Sequence, residues 1–324
     1  MTTLWDTTGT AVVKALAAER RTGGGVTSGL ALTLVVVMEE KDASEVEAAV
    51  SIASSRHPMR VLTVLRHQIE APIPRLDAEV AIGGRYGPGE SVVLRMYGRL
   101  ALHAESVTLP LLAPDAPVVA WWYSETPETI AYDPLGVFAD RRITNVIRDA
   151  DPAASLHQRA VDYAPGDTDL TWTVITPWRA ALASAFDTVH RGVQTVIVRG
   201  NPLDPSAQLL AGWLSSRLGV YVPVEKAEGK YISSVEVTFP DGYSIDLRNE
   251  GYKLVLRRPN QMDSIAPFPQ RTTGDLLAEE LRRLDADSSY AEALGAVTGT
   301  TGLNDRPSVR THIWYDPAMA AQEA

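Results

Sequence analysis

Residues 30–38 read Leu-Ala-Leu-Thr-Leu-Val-Val-Val-Met, residues 42–54 Asp-Ala-Ser-Glu-Val-Glu-Ala-Ala-Val-Ser-Ile-Ala-Ser, and residues 59–65 Met-Arg-Val-Leu-Thr-Val-Leu. The first run is almost continuously apolar and rich in valine, the pattern of a strand covered on both faces. In the second, Val46, Ala49, Val50 and Ala53 fall at i, i+3, i+4 and i+7, so the period switches to that of a helix. Asp42 and Glu45 stand at capping-box spacing before it. The third returns to strand. Strand, helix and strand at this spacing form a βαβ unit whose two strands lie parallel.

Upstream, residues 6–20 read as a helix with Val12, Val13 and Leu16 on one side and Gly23-Gly24-Gly25 ending it. Downstream, residues 78–82 and 91–97 alternate and are joined by the glycine-rich stretch 83–90, which predicts a hairpin with a long loop. A helix over 99–109 follows, then a buried strand over 117–123 that ends in Trp121-Trp122-Tyr123, and a further strand over 142–147. Asp151-Pro152 opens a short helix running towards Tyr163. Ala164-Pro165-Gly166-Asp167 is the linker candidate, dividing the chain into 1–165 and 166–324.

In the second half, Thr176-Pro177 starts a helix with threonine as cap and proline in the first turn. Trp178, Leu182 and Phe186 recur at i, i+4 and i+8. Strand 193–198, helix 206–218 with Gly219 past its end, and strand 220–224 make a second βαβ-like unit. A meander follows: Val235, Val237 and Phe239 alternate, Asp241-Gly242 turns, then Tyr243, Ile245 and Leu247, then Tyr252, Leu254 and Leu256. Two helices close the pattern. Thr272 with Asp275 starts one, in which Glu279 precedes Arg282 and Arg283 by three and four residues. Ser289 with Glu292 caps the other, which Gly295 ends. Residues 296–324 read as loop with Trp314-Tyr315 near the end. The expected class is α/β: two α/β domains with mixed sheets, the second including an antiparallel meander and two C-terminal helices.

With 324 residues, the chain has room for about two domains. Its 30 Lys+Arg against 40 Asp+Glu give a net charge of −10, which disfavours nucleic acid and anionic membrane surfaces as partners. No apolar run approaches the roughly 18 residues that span a bilayer, and residues 30–38 stop at Glu39. No basic stretch leads into an apolar one at the N-terminus, so a cytoplasmic protein is expected. The absence of cysteine excludes disulfides, thiolate catalysis, iron–sulfur clusters and thiolate zinc sites within this chain.

Catalytic motifs are not found. Gly23–Gly29 precedes a strand, where a dinucleotide fingerprint must follow one, and neither GxxxxGK[ST] nor GxSxG occurs. His57, His67, His103, His157, His190 and His312 form no HExxH or i, i+4 pair, so no metal and no cofactor is expected. Glu125 and Glu128 read as a solvated loop. The loop 199–205, between strand and helix, lies where α/β proteins place ligands. There Arg199 would contact a phosphate while Asn201 and Asp204 orient hydroxyls, the alternative being a helix capped by Asp204 itself. Trp121 and Trp122 must point to opposite faces of their strand. Either helices cover both faces, or Trp121, Trp122 and Tyr123, flanked by Arg141 and Arg142, form an exposed anchor for a partner.

Five segments taken together carry a family resemblance: Pro117-Val118-Val119-Ala120-Trp121-Trp122; Ala139-Asp140-Arg141-Arg142-Ile143; Asp169-Leu170-Thr171-Trp172 with Thr176-Pro177-Trp178-Arg179; residues 209–219; and residues 276–285. In this order they resemble the glucose-6-phosphate dehydrogenase assembly protein family, OpcA, of the actinobacterial type, over about residues 30–294. The resemblance implies a non-enzymatic partner that binds glucose-6-phosphate dehydrogenase, promotes its assembly or active state as an allosteric activator, and supports the oxidative pentose phosphate pathway and its NADPH output. Trp121, Trp122, Tyr123, Arg141 and Arg142 are then the candidate contacts. The alternative is a sugar-phosphate- or nucleotide-binding enzyme or sensor using the 199–205 loop. Cyanobacterial relatives are associated with cysteine-based redox control, from which this cysteine-free chain departs.

Overall fold

All seven residues of the valine-rich strand Leu32–Met38 are buried, because its alternate side chains enter two different cores. Val35 and Val37 point to one and Leu34, Val36 and Met38 to the other. This is the doubly covered strand that its composition predicts.

The computed structural model describes residues 1–22, 29–124, 126–187, 189, 192–229 and 231–308. In chain order the elements are β1 (Thr2–Leu4), α1 (Gly9–Thr22), β2 (Leu32–Met38), α2 (Ala43–Arg56), β3 (Met59–His67), β4 (Arg75–Ile82), β5 (Glu90–Tyr97), α3 (Ala104–Thr108), β6 (Val118–Trp122) and β7 (Arg141–Thr144). Then come α4 (Pro152–Asp162), β8 (Asp167–Asp169), α5 (Leu170–Val174), α6 (Thr176–Phe186), β9 (Thr195–Gly200), α7 (Pro205–Leu218) and β10 (Val224–Lys226). The chain continues through β11 (Ser234–Thr238), β12 (Ser244–Asn249), β13 (Lys253–Arg257), β14 (Ser264–Pro267), α8 (Thr273–Glu280) and α9 (Ser288–Thr298).

The first sheet has the order β1-β4-β5-β3-β2-β6-β7-β8. Its strands from β5 to β8 are parallel, and β4 and β1 extend it antiparallel. One face packs on α1 and α3 residues, including Val12, Leu16 and Val107, and the other on α2 and α8 through Val46, Val50, Leu276 and Leu277. The second sheet, β10-β9-β11-β12-β13-β14, is mixed: β10 and β9 are parallel, as the second βαβ-like unit requires, although β10 begins only at Val224, where the expected strand over 220–224 ends, and the meander is antiparallel. Its inner side chains, among them Val198, Val235, Val237, Ile245 and Leu247, meet α6, α7 and α9. The side chains that alternate with them on the outer face include Arg199, Glu236, Asp246 and Arg248, beside the apolar Ile197 and Val255. Two α/β halves with mixed sheets are thus present.

The halves exchange parts. β8 lies beyond the 164–167 turn yet closes the edge of the first sheet, and α8 crosses back to cover that sheet's second face. Gly274 allows this crossing, since a Cβ there would stand 2.8 Å from the Ala49 carbonyl oxygen and 2.8 Å from Ile52 Cβ. Gly212 does the same for α7 against α9, with the Ala293 carbonyl oxygen 2.5 Å from where its Cβ would be.

Several local expectations change. The helix expected over 99–109 is only α3 flanked by 3-10 turns, since Gly98 enters at φ 62° and Pro110 interrupts the regular helix. The strand expected over 142–147 stops at Thr144 because the Asp169 carboxylate takes the Val146 N–H at 2.9 Å and draws the chain out of the ladder. Thr176 does not cap α6: Ile175 holds that position, and the Thr176 hydroxyl accepts from Arg179 at 3.1 Å. Asp287, not Ser289, caps α9, which runs through Gly295 and ends at Gly299 with φ 73°. Because α8 ends at Glu280, Glu279 pairs with Arg271 instead of the following arginines. The caps at Asp204 and at Thr272 with Asp275 form as expected. β1 and β14 carry no clear sequence signal. Gly23-Gly24-Gly25, Glu125, His190 and Trp314-Tyr315 lie outside the described residues.

Candidate functional site at the carboxyl end of the first sheet

From β2 the chain moves to β3 on one side and later returns to place β6 on the other. The carboxyl ends of β2 and β6 therefore form a topological switch point, where open α/β sheets leave a crevice. Here the crevice is filled from within. Ser124, just past β6, accepts the Glu39 N–H at 2.9 Å and donates to Asp42 at 2.5 Å. The Tyr123 hydroxyl donates to Glu45. The Arg148 guanidinium lies 4.1 Å from the centre of the Tyr123 ring, within cation–π range, and reaches Glu45 at 3.2 Å.

Asp42 and Glu45 thus do not make the expected capping box; Asp42 offers no side-chain cap to α2. Their carboxylates are committed across the rim to Ser124 and Tyr123 instead. The Tyr123 hydroxyl bond, and then Arg148, hold the Glu45 carboxyl below its ordinary range. Burial, and then the same bond, push the Tyr123 phenol well above its ordinary range. Beside this cluster Arg95 bridges Glu40 at 3.1 Å and Glu79 at 2.7 Å, and its bond to Glu40 keeps that carboxyl low. The result is a fixed rim of alternating charge above an aromatic strand. No group of three or more potential metal ligands gathers among the described residues.

The anchor expected at Trp121, Trp122, Tyr123, Arg141 and Arg142 is corrected: none of the five is more than 3% exposed. Cores on both faces of β6 take up the alternating side chains, Trp121 and Tyr123 on one side and Trp122 on the other. Arg141 pairs with Glu280, and Arg142 with Asp167 and the carbonyls of Ala139 and Pro165. Of the set, Tyr123 alone reaches the rim, through its hydroxyl.

The residues of the 199–205 loop do not converge on one ligand. Arg199 lies on the outer face of the second sheet, paired with Glu225 at 2.5 Å and Glu236 at 3.5 Å. The Asn201 side chain accepts the Leu203 N–H, and Asp204 caps α7 through the Ser206 N–H. The Ala227 N–H bonds to the Gly200 carbonyl, so main chain covers the strand end. Asp42, Glu45, Ser124 and Arg148 are not legible as a site in the sequence. The Asp42 and Glu45 spacing is visible but suggests a cap, and Arg148 carries no signal.

Residues 49–161 match the N-terminal domain, and residues 165–294 the C-terminal domain, of the family described as "Glucose-6-phosphate dehydrogenase subunit". The chain belongs to this OpcA family. A curated OpcA relative from Synechococcus elongatus, named "Putative OxPP cycle protein OpcA", is 28% identical over 130 residues. That stretch is 37% of this OpcA-family chain and only 29% of the relative's length. Among solved structures, an NAD binding oxidoreductase from Klebsiella pneumoniae aligns over 85% of this chain and 90% of its own, at 10% identity and a TM-score of 0.36. A likeness that weak bears on neither fold nor activity. No described helix is long and apolar enough to cross a membrane.

Proposed function

We propose that this chain is a non-catalytic, cytoplasmic partner of glucose-6-phosphate dehydrogenase that promotes the enzyme's assembly or active state and so supports the entry step of the oxidative pentose phosphate pathway. The observation that carries this reading is the pair of family matches over residues 49–161 and 165–294. To act in this way the chain must bind the active form of the enzyme more tightly than the inactive one, since equal affinity shifts nothing. A preference of about 1.4 kcal/mol moves the balance roughly tenfold. The aromatic strand then contributes at one remove: Trp121, Trp122 and Tyr123 hold up the charged rim, and Glu45 and Arg148, at 66% and 35% side-chain exposure, meet the partner.

The test is a titration of this chain into the dehydrogenase of the same organism, following NADPH formation across glucose 6-phosphate concentrations with light scattering on the same mixtures. Saturable activation with a defined larger particle is the expected result. A larger particle with unchanged kinetics would reduce the role to a scaffold, and absence of both effects would overturn the reading.

A further inference from the structure

A cleft of about 580 Å³ opens where the C-terminal end of α2 meets α8 and the residues on either side of it. Arg56 and His57 line it from the first half of the chain, and Gln270, Arg271 and Arg282 from the second. Two carboxylates also border it, and both are already committed. Asp275 receives Arg56 Nη2 at 2.8 Å as well as the Thr272 hydroxyl and N–H. Glu279 receives Arg271 Nη1 at 2.5 Å, while Arg271 Nη2 is held by the carbonyls of Thr173 and Val174 at 2.7 and 2.9 Å. His57 Nε2 lies 2.7 Å from the Ala278 carbonyl oxygen, which can only accept, so this nitrogen carries the proton.

What remains is a cationic surplus. Arg282 is exposed and makes no ion pair with any described residue, and Arg56 keeps its Nε and Nη1 N–H groups as separate donors beyond the Nη2 bond to Asp275. Two arginines with donors to spare therefore border one cleft in a chain whose net charge is −10. The volume falls in the range of small-molecule sites, roughly 300–1,000 Å³, and exceeds what a lone inorganic ion fills. Guanidinium groups suit phosphate because their planar forks match its oxygens, and a tetrahedral phosphate can engage two arginines from different elements at once.

We propose that this cleft binds a small phosphorylated metabolite, its phosphate held by Arg282 and the remaining N–H groups of Arg56 and its remaining body lying along Gln270 and His57. The site bridges the two family-matched stretches, so an occupied cleft ties α2 to α8. The inference concerns this chain alone and stands whether or not the dehydrogenase is its partner.

Calorimetry on the full chain tests it, with glucose 6-phosphate, inorganic phosphate and glucose as probes. Glucose 6-phosphate is expected to bind one per chain, more tightly than inorganic phosphate, and glucose to give no heat. Arg282→Glu should weaken glucose 6-phosphate by at least about tenfold, a change of about 1.4 kcal/mol. It should leave the ligand-free thermal midpoint unchanged, since the side chain is exposed. Lys226→Glu, the same charge change on the edge strand of the second sheet, should bind as the unaltered chain does. Absence of binding by both phosphate probes, equal affinity for them, or binding that survives Arg282→Glu would overturn the proposal.

Discussion

Arg141 on β7 and Glu280 on α8 form a buried ion pair across 139 positions of sequence. The Glu280 carboxylate also accepts the Thr173 hydroxyl at 2.6 Å, and the guanidinium reaches the Asp285 carbonyl at 2.7 Å. Removing one partner of such a pair leaves the other charge buried and uncompensated, which costs about 3–5 kcal/mol. Glu280→Ala should therefore lower the urea midpoint by a loss of that size. Arg56→Ala breaks a pair that is 55% exposed on the arginine side and should cost no more than about 1 kcal/mol. Similar losses for the two variants would show that burial does not set the difference.

Trp122→Ala separates core from contact. The side chain is 1% exposed and belongs to the same core as Ile130, Leu135 and Ala139, so its deletion should destabilise the fold by about 3–5 kcal/mol. Its thermal midpoint should fall, and, if the chain binds the dehydrogenase as proposed, the fraction still folded should keep its affinity. Arg148→Glu is the converse. It should leave the midpoint within a few degrees and weaken the proposed complex, with a smaller salt dependence of association. Weaker binding by folded Trp122→Ala would return that tryptophan to the interface.

Acid sensitivity is tied to Asp77. Its carboxylate receives the Arg75 guanidinium and the Asp6 N–H at 2.9 Å, and the arginine, more than the backbone bond, holds its carboxyl below the ordinary range. A folded value below the unfolded one, about 3.9, contributes stability that is complete above that pH and disappears as pH falls through the folded value. Asp77→Asn should therefore be less stable at neutral pH yet lose less than the unaltered chain between about pH 5 and about pH 2. Parallel pH profiles from urea titrations would disprove the assignment.

Gly212→Ala sets two effects against each other. Alanine in a helix interior gains about 1 kcal/mol over glycine. The added Cβ would lie 2.5 Å from the Ala293 carbonyl oxygen and 2.6 Å from Val297 Cγ2, and overpacking of this kind costs about 1–3 kcal/mol. The clash involves backbone, which yields less easily than a side-chain tip, so the variant should melt lower. A higher midpoint would mean that α9 moves away at little expense.

The legible parts of this fold are those whose pattern answers to local chemistry. The valine run of β2 and the i, i+3, i+4, i+7 series of α2 appear as read, and so do the caps at Asp204 and Thr272. Misreadings arise where a side chain's partner is remote. Asp42 and Glu45 have the spacing of a cap, but Ser124 and Tyr123 lie more than seventy positions away and win their carboxylates. The same holds for β6. Composition allows Trp121 and Trp122 to be either an exposed anchor or the centre of a covered strand, and part of the cover on one face comes from α8, over 150 residues downstream. Arg148 has no local signature at all, and neither has the cleft, which exists only once α2 and α8 are in contact.

The dependence of the first sheet on α8 has a bearing on how the chain is made. By the time Thr144 is synthesised, β2 to β7 are all present, but Leu276, Leu277 and Leu281, which seal one of their faces, are not. At about 5–20 residues per second the intervening stretch takes roughly 7–30 s to emerge from the ribosome. For that interval Leu34, Val36 and Trp121 lack part of their cover, and a product cut short before Leu276 never acquires it. Full cover of the first sheet therefore waits on the synthesis of α8, well after its own strands are made.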